Sequence, residues 1–333
     1  MTAATAATTS ERRASPFRGL VRRHGWTLGL VAFLLLLLGF TKFIQPSYGE
    51  TGIQNLAIAV LPLALAAAAQ AIVVISGGID LSIGSMMALT GAIAATRMED
   101  QSGEAGIAVV ALVLVIGLAI GAVNGALVVI TRVPDIVVTL AMSFVWAGVA
   151  LVVLPTPGGG SVDWLTELVR GSVGSEWIPR AAIVLVVVVA LIWIPLQRSR
   201  LGLSLYAIGS NQLAAFRSGV SVGWTKFLSY VLAGLFSAIA GILLVASTGI
   251  GTPVPGPYTL LSVAAIVLGG VSLAGGRGGL AGPVVAVAIL SLMRTDMTFL
   301  RLNTNLATVA QGVILVVVVM LGTFLTLRRN RAE

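Results

Sequence analysis

The chain has 333 residues, of which 57% are apolar and 10% charged, against about 25% charged in an average soluble domain, which excludes a fold built to face water. The net charge of +8 resides in basic residues at the ends of apolar runs, nowhere interleaved with stacking aromatics, which argues against a nucleic-acid surface. There is no cysteine and one histidine, His24, so disulfides, thiolate nucleophiles and histidine- or cysteine-based metal centres and triads are excluded; neither catalytic residues nor a metal site are expected.

Residues 1–25 read as a basic N-terminus. The first 15 are small and polar without periodicity and are predicted to be disordered. Arg12, Arg13, Arg18, Arg22 and Arg23 precede an apolar run from Trp26 to Ile44, longer than the core of a signal peptide, which is predicted to be a retained first span. Since about 20 apolar residues cross a bilayer and about 17 suffice, nine more spans are predicted near 53–76, 80–96, 107–130, 135–154, 180–197, 227–249, 258–274, 280–294 and 306–326. The fold class is therefore all-α: a polytopic membrane domain over 26–327 with about ten helices, some broken, and a basic tail at 328–333.

Ten spans place both termini on one side. Of the 20 Lys and Arg residues, 14 fall on that side and 6 on the other, so the positive-inside rule puts the termini in the cytoplasm. The opposite face carries most of the acidic residues, and its largest loop, 155–179, holds Trp164 and Trp177 at headgroup depth.

Within the spans, Pro62 is expected to kink the second helix, and Met86 and Met87 are expected in the core. Gly117, Gly121 and Gly125 recur every fourth residue, a bare stripe against which another helix can pack closely. Asn124, on the adjoining face, either hydrogen-bonds across helices or lines a polar pathway; Asn55, Gln70 and Thr139 admit the same two readings. Arg132 to Asp135 forms a connection whose charges are expected to pair with each other.

Three polar interruptions stand out. In Ile75–Ser85, ISGGIDLSIGS, two glycines break a long apolar run, and Asp80 or Ser82 offers oxygens to cap the helix that follows. An aspartate at the end of a span also marks function by default, so Ser76, Gly77, Gly78, Asp80, Ser82, Ser85 and Asn124 are candidates for gating or substrate passage. In Gln197–Lys226, Asn211 can cap a short helix and Gly219 can stop it in the left-handed conformation. That helix presents Leu213, Phe216 and Val220 on one apolar face, suited to docking a partner through Asn211, Leu213, Ala214, Ala215, Phe216, Arg217, Ser218, Gly219 and Val220. In Gly269–Pro283, glycines surround Arg277, and Gly275, Gly276, Arg277 and Gly278 form a predicted cytoplasmic turn. It is no phosphate loop, because no GK[ST] follows between a strand and a helix. Small-residue helices after the first and third interruptions suggest an internal repeat.

These three stretches resemble the permease subunits of ribose- and xylose-type bacterial ABC sugar importers. The family's GIDLSVGS string is matched with Ile83 for Val. Its ALGGN-x-x-A-A-x-x-SGI loop is matched by Ala207 to Val220, with Ser210 for Gly and Val220 for Ile, and its LGGTSLAGGKG segment with Val271 for Thr and Arg277 for Lys. The resemblance covers about residues 25–327. It implies an inner-membrane transport subunit, not an enzyme, that passes a monosaccharide or related polyol. It further implies partners: an ABC ATPase carrying the ATP and Mg, a second permease, identical or different, and a periplasmic or lipid-anchored solute-binding protein. No cofactor is expected in this chain, and lipid, not nucleic acid, is its surroundings. The other class compatible with the residues is an ion-coupled secondary transporter of a small polar solute, for which Asp80 and Asp135 are the few ionisable groups near spans.

Overall fold

A computed structural model describes residues 16–101 and 103–301, together with positions 309, 312, 313, 316 and 320. The expected tenth span at 306–326 and the tail at 328–333 therefore lie outside the described residues, apart from those single positions, as do residues 1–15. The helices are α1 (Pro16–Ile44), α2 (Glu50–Ile75), α3 (Ile83–Met98), α4 (Gly103–Thr131), α5 (Asp135–Val153), α6 (Asp163–Val169), α7 (Arg180–Val188), α8 (Ile194–Arg198), α9 (Arg200–Ser210), α10 (Gln212–Arg217), α11 (Val222–Thr248), α12 (Tyr258–Leu268) and α13 (Ala281–Phe299). A small antiparallel hairpin, β1 (Ser172–Val173) and β2 (Ser175–Pro179), turns at Gly174 in the loop before α7.

Seven of these segments are long and apolar enough to cross a membrane: the part of α1 from Gly25, α2, α4, α5, α7 joined to α8, α11 and α13. The chain is a polytopic membrane protein. The join of α7 to α8 is a π turn at Val189–Trp193, just ahead of Pro195, whose missing N–H cannot continue the regular ladder. Leu36, Phe43, Phe144 and Val152 point outward and are each more than 70% exposed, as lipid-facing side chains are. The central helix is α2: every residue from Val60 to Ile75 is buried, and it runs on through Pro62 as one helix.

Two of the expected spans are helices shorter than a full crossing. The third, predicted over 80–96, is α3, only 16 residues long and preceded by irregular backbone at 76–82. The eighth, predicted over 258–274, is α12, which ends after 11 residues at Leu268 because Gly270 turns the chain at φ 85°. At 1.5 Å per residue α12 rises roughly 16 Å, about half of a bilayer core. Extended backbone makes up the remainder. Gly251 pairs with Gly158 and lies against Ala95, near the C-terminus of α3, whereas Gly256 and Thr259 lie against Gly84 at the N-terminus of α3. The segment 251–257 therefore runs antiparallel along α3, and α12 completes the pass. Irregular backbone at this depth is tolerated only when protein encloses it. The enclosure is visible in the hydrogen bond from Gly84 N–H to Thr259 Oγ1 at 2.9 Å, where the N-termini of the two short helices meet.

The glycine stripe of α4 packs as its spacing predicts, and the structure supplies the partner. A Cβ at Gly117 would strike Ala238 and Gly234, at Gly121 the Tyr230 carbonyl, and at Gly125 the Phe227 carbonyl, so α4 and α11 meet backbone to backbone. Asn124, fully buried beside the stripe, donates to Ser82 Oγ at 2.8 Å and accepts from Trp146 Nε1 at 3.1 Å. Met86 and Met87 are both core residues.

Candidate functional site

The three polar interruptions, separated by up to 200 residues in sequence, converge at one end of the bundle. The last turn of α2 ends at Ile75, whose carbonyl accepts from Gly276 N–H at 2.9 Å. Gly209, in the last turn of α9, has no room for a Cβ because the Ile75 carbonyl and the Gly276 amide occupy that place. Gly275, at φ 84°, lies with its own Cβ position 3.0 Å from Gly77 Cα and 2.9 Å from the Gly209 carbonyl. Three backbones thus touch without intervening side chains, which only glycines permit. Tyr206 Oη donates to the Gly278 carbonyl at 2.8 Å, and burial pushes that phenol above its ordinary pKa, keeping it a donor. Arg277 is exposed, and its carbonyl accepts from Ser272 N–H, so the glycine turn is a packed structure with its cation in front.

Beside this junction lies α10. Asn211 Oδ1 accepts from Ala214 N–H at 2.9 Å as an N-cap, and Val220 N–H returns to the Ala215 carbonyl across Gly219 at φ 84°, the hydrogen bond of a left-handed helix stop. Ala215 is buried and holds the helix down, leaving Leu213 59% and Phe216 67% exposed on its outer side. Ala214, Arg217 and Ser218 are exposed as well, and Val220 is half-buried. A cleft of about 240 Å³ opens between the junction and α10, lined among others by Ser76, Gly77, Ser210, Asn211 and Lys226.

From the junction, backbone 76–82 climbs into the bundle to reach α3. Ser76 Oγ lies 3.3 Å from Ser229 Oγ of α11 and donates to the Val73 carbonyl. Gly78 is hemmed in by Asp135 Oδ2 and, 3.0 Å from its Cβ position, the Tyr230 hydroxyl. Leu81 N–H donates to Thr139 Oγ1 at 3.0 Å. Asp80 is fully buried, and its Oδ1 accepts from Ser82 N–H at 2.7 Å and Ser82 Oγ at 2.6 Å, closing a local turn. Ser85 is buried one turn into α3. Neither Asp80 nor Ser82 caps the helix with its side chain, against expectation. The cap comes from Thr259 instead, 175 residues away in sequence.

The expected pairing of Asp135 with Arg132 is also replaced. Arg132 is exposed, and Asp135 pairs with Lys226 Nζ at 2.7 Å, while Tyr230 Oη donates to its other oxygen at 2.9 Å. Lys226 and Tyr230 are one turn apart on α11 and so share a face. Nothing in the sequence names their partner, since the carboxylate belongs to a different helix. Gln70 is fully buried near the C-terminal end of α2, and neither end of its amide has a partner among the described residues. Those residues also contain no cluster of three or more acidic or histidine side chains that could hold a metal.

Residues 52–319 match the family described as branched-chain amino acid transport system, permease component. The chain is 32% identical over 294 residues to the ribose import permease protein RbsC of Escherichia coli K12, covering 86% of this chain and 90% of that protein. It is 33% identical over 317 residues to RbsC of Bacillus subtilis 168, covering 94% and 96%. To the autoinducer 2 import system permease protein LsrD of Yersinia enterocolitica it is 28% identical over 327 residues, covering 93% and 95%. No solved structure matches it.

Proposed function

The chain belongs to the permease-component family of branched-chain amino acid type transport systems, and from that premise we propose that it is the membrane-spanning subunit of an ATP-binding-cassette importer for a monosaccharide or related polyol. The convergence of the three family-like motifs beside α10 is the observation that carries the reading. A short capped helix with Leu213 and Phe216 turned outward is a surface to which an ATPase subunit can apply force. The junction behind it joins that helix to the irregular backbone of the third pass. The sugar assignment follows the relatives named for ribose and autoinducer 2 import.

In this reading the face bearing α10, Gly275–Gly278 and both termini is cytoplasmic, as the charge asymmetry favours, and the membrane is the bacterial inner membrane. A separate ATPase docks at Asn211–Val220 and carries the ATP and Mg. A second permease completes the channel, and a solute-binding protein delivers sugar to the hairpin face. When ATP closes the ATPase, α10 moves. The backbone Ser76–Ser82, with Gly77, Gly78, Asp80 and Ser82 bent between α4, α5 and α11, changes its path and gates passage. Ser85 and Asn124 frame the start of α3 beside that route. The chain itself performs no covalent chemistry.

The test is uptake of labelled pentoses and hexoses into proteoliposomes holding this chain, its ATPase and its binding protein. Uptake that requires ATP and the binding protein supports the importer. Uptake by this chain alone, driven by a proton or sodium gradient, overturns it in favour of a secondary transporter.

A further inference from the structure

Backbone 76–82 is irregular; Gly77 is exposed at the cleft, and from Gly78 to Ser82 the segment is buried or half-buried inside the bundle, so its position depends on whatever side chains grip it. The grip comes from few residues. On α11, Ser229 meets Ser76, and Tyr230 closes on Gly78. On α5, Thr139 takes the Leu81 amide, and Asp135, one turn earlier, closes on Gly78 from the other side. Joining the two helices are the hydrogen bonds to one carboxylate: Lys226 on Oδ1 at 2.7 Å and Tyr230 on Oδ2 at 2.9 Å. The pair is largely shielded, with the Asp135 side chain 12% exposed and that of Lys226 23%. Asp135 also stands in the first turn of α5, where the helix dipole favours a negative charge.

The position of this cluster along the chain matters as much as its geometry. Four residues, 218–221, separate the end of α10 from the start of α11, and Lys226 follows in the second turn. Because α11 is locked backbone to backbone with α4, its first turns cannot bend away independently and move as part of a rigid body. A displacement of α10 therefore reaches Lys226 with little slack, passes to Asp135 through a charge-assisted hydrogen bond, and arrives at Gly78 by direct contact. An added methyl at Gly78 would fall on the carboxylate, so the two cannot move past each other freely.

We propose that Asp135, Lys226 and Tyr230 form a latch that transmits motion of the docking helix α10 to the backbone Ser76–Ser82, making them positioning residues for transport. The proposal rests on the importer reading above, and deepens it by naming the residues through which force reaches the gate. Thr139, Ser229 and, from α4, Asn124 on Ser82 Oγ add to the grip but do not join the two helices.

The experiment compares the wild-type complex with Lys226→Met, Asp135→Asn and Tyr230→Phe, and with the charge exchange Lys226→Asp combined with Asp135→Lys, all assembled with the ATPase and binding protein in proteoliposomes. Uptake and ATP hydrolysis are measured together, and amide exchange of residues 76–82 is followed by mass spectrometry. Lys226→Met and Asp135→Asn are expected to lower sugar moved per ATP hydrolysed by about tenfold, within the range of coupling between distant sites, and to speed amide exchange at 76–82. Tyr230→Phe, which loses one hydroxyl without loss of volume, should shift both readouts in the same direction and less far. The charge exchange should recover part of the ratio.

A wild-type ratio with wild-type exchange in Lys226→Met overturns the latch. So does a parallel fall of uptake and hydrolysis that follows the amount of assembled complex, because a merely structural pair does that. If the wild-type complex shows no ATP-dependent uptake, the importer reading fails separately, and the exchange measurement alone decides whether these residues hold the loop.

Discussion

Gly209→Ala places one methyl group at the contact of the three motifs. The Cβ would enter the hydrogen bond from Gly276 N–H to the Ile75 carbonyl, with the amide nitrogen 2.5 Å away and the carbonyl nearer still. Backbone cannot yield as a flexible side chain does, so α9 or the 275–278 turn must move outward by about 1 Å to restore ordinary contact. Overpacking of this kind costs about 1–3 kcal/mol, and a buried amide or carbonyl left without its partner about 1–3 kcal/mol more. Alanine gains roughly 1 kcal/mol over glycine in helix propensity, which offsets part of this. The expected net loss is about 3 kcal/mol, and it falls on the junction. Thermal unfolding of the purified chain in detergent, monitored by the tryptophans, should show a lowered midpoint, and co-purification with the ATPase should drop. Gly148→Ala in α5 is the control, because a Cβ there meets nothing within 4 Å. If Gly209→Ala unfolds at the same temperature as Gly148→Ala and still assembles, the three-way contact does not hold this end of the protein together.

Other perturbations address the remaining links. Ser76→Cys with Ser229→Cys puts two thiols where the hydroxyls lie 3.3 Å apart, close enough for a disulfide after slight adjustment; oxidation should stop uptake and reductant restore it. The natural chain has no cysteine and supplies a background free of other thiols, and unchanged uptake in the cross-linked form would show that this contact stays closed throughout transport. Phe216→Asp should leave unfolding unchanged but weaken ATPase association by about 2 kcal/mol or more, roughly thirtyfold, and normal co-purification would remove α10 as the docking surface. Thr259→Val keeps the shape and deletes the acceptor for Gly84 N–H, so a loss of about 1–3 kcal/mol is expected. Thr259→Ser should retain stability, and equal unfolding of the Val and Ser variants would mean that the contact between the two short helices contributes nothing.

Local order in the sequence was a good guide wherever neighbours along the chain decide the outcome. The N-cap at Asn211, the left-handed stop at Gly219 and the short α10 between them are set by residues within eight positions of one another. The apolar runs place seven helices of spanning length because twenty residues of lipid-compatible side chain have few alternatives in a bilayer. The glycine stripe on α4 announced close packing through its spacing alone. What it packs against did not follow, since α11 is more than 100 residues away and its glycine, Gly234, carries no mark of the pairing.

The two broken passes show the same division. Hydropathy reads 80–96 and 258–274 as spans because an apolar residue scores alike in a helix and in extended backbone wrapped by protein. Only packing reveals that α12 is half a span and that 251–257 lies along α3. Proximity along the chain points to Asp80 and Ser82 as the caps of α3, whereas the fold brings Thr259 to that amide. By the same proximity Asp135 can pair with Arg132, and the fold gives it Lys226 and Tyr230 instead. The lipid surroundings, the helices and the three glycine-bearing interruptions are legible in the chain alone, since these depend on composition and on interactions within a few residues. Tertiary structure decided that the three interruptions meet at Ile75, Gly209 and Gly276, because that contact exists only when distant backbones approach within hydrogen-bonding distance.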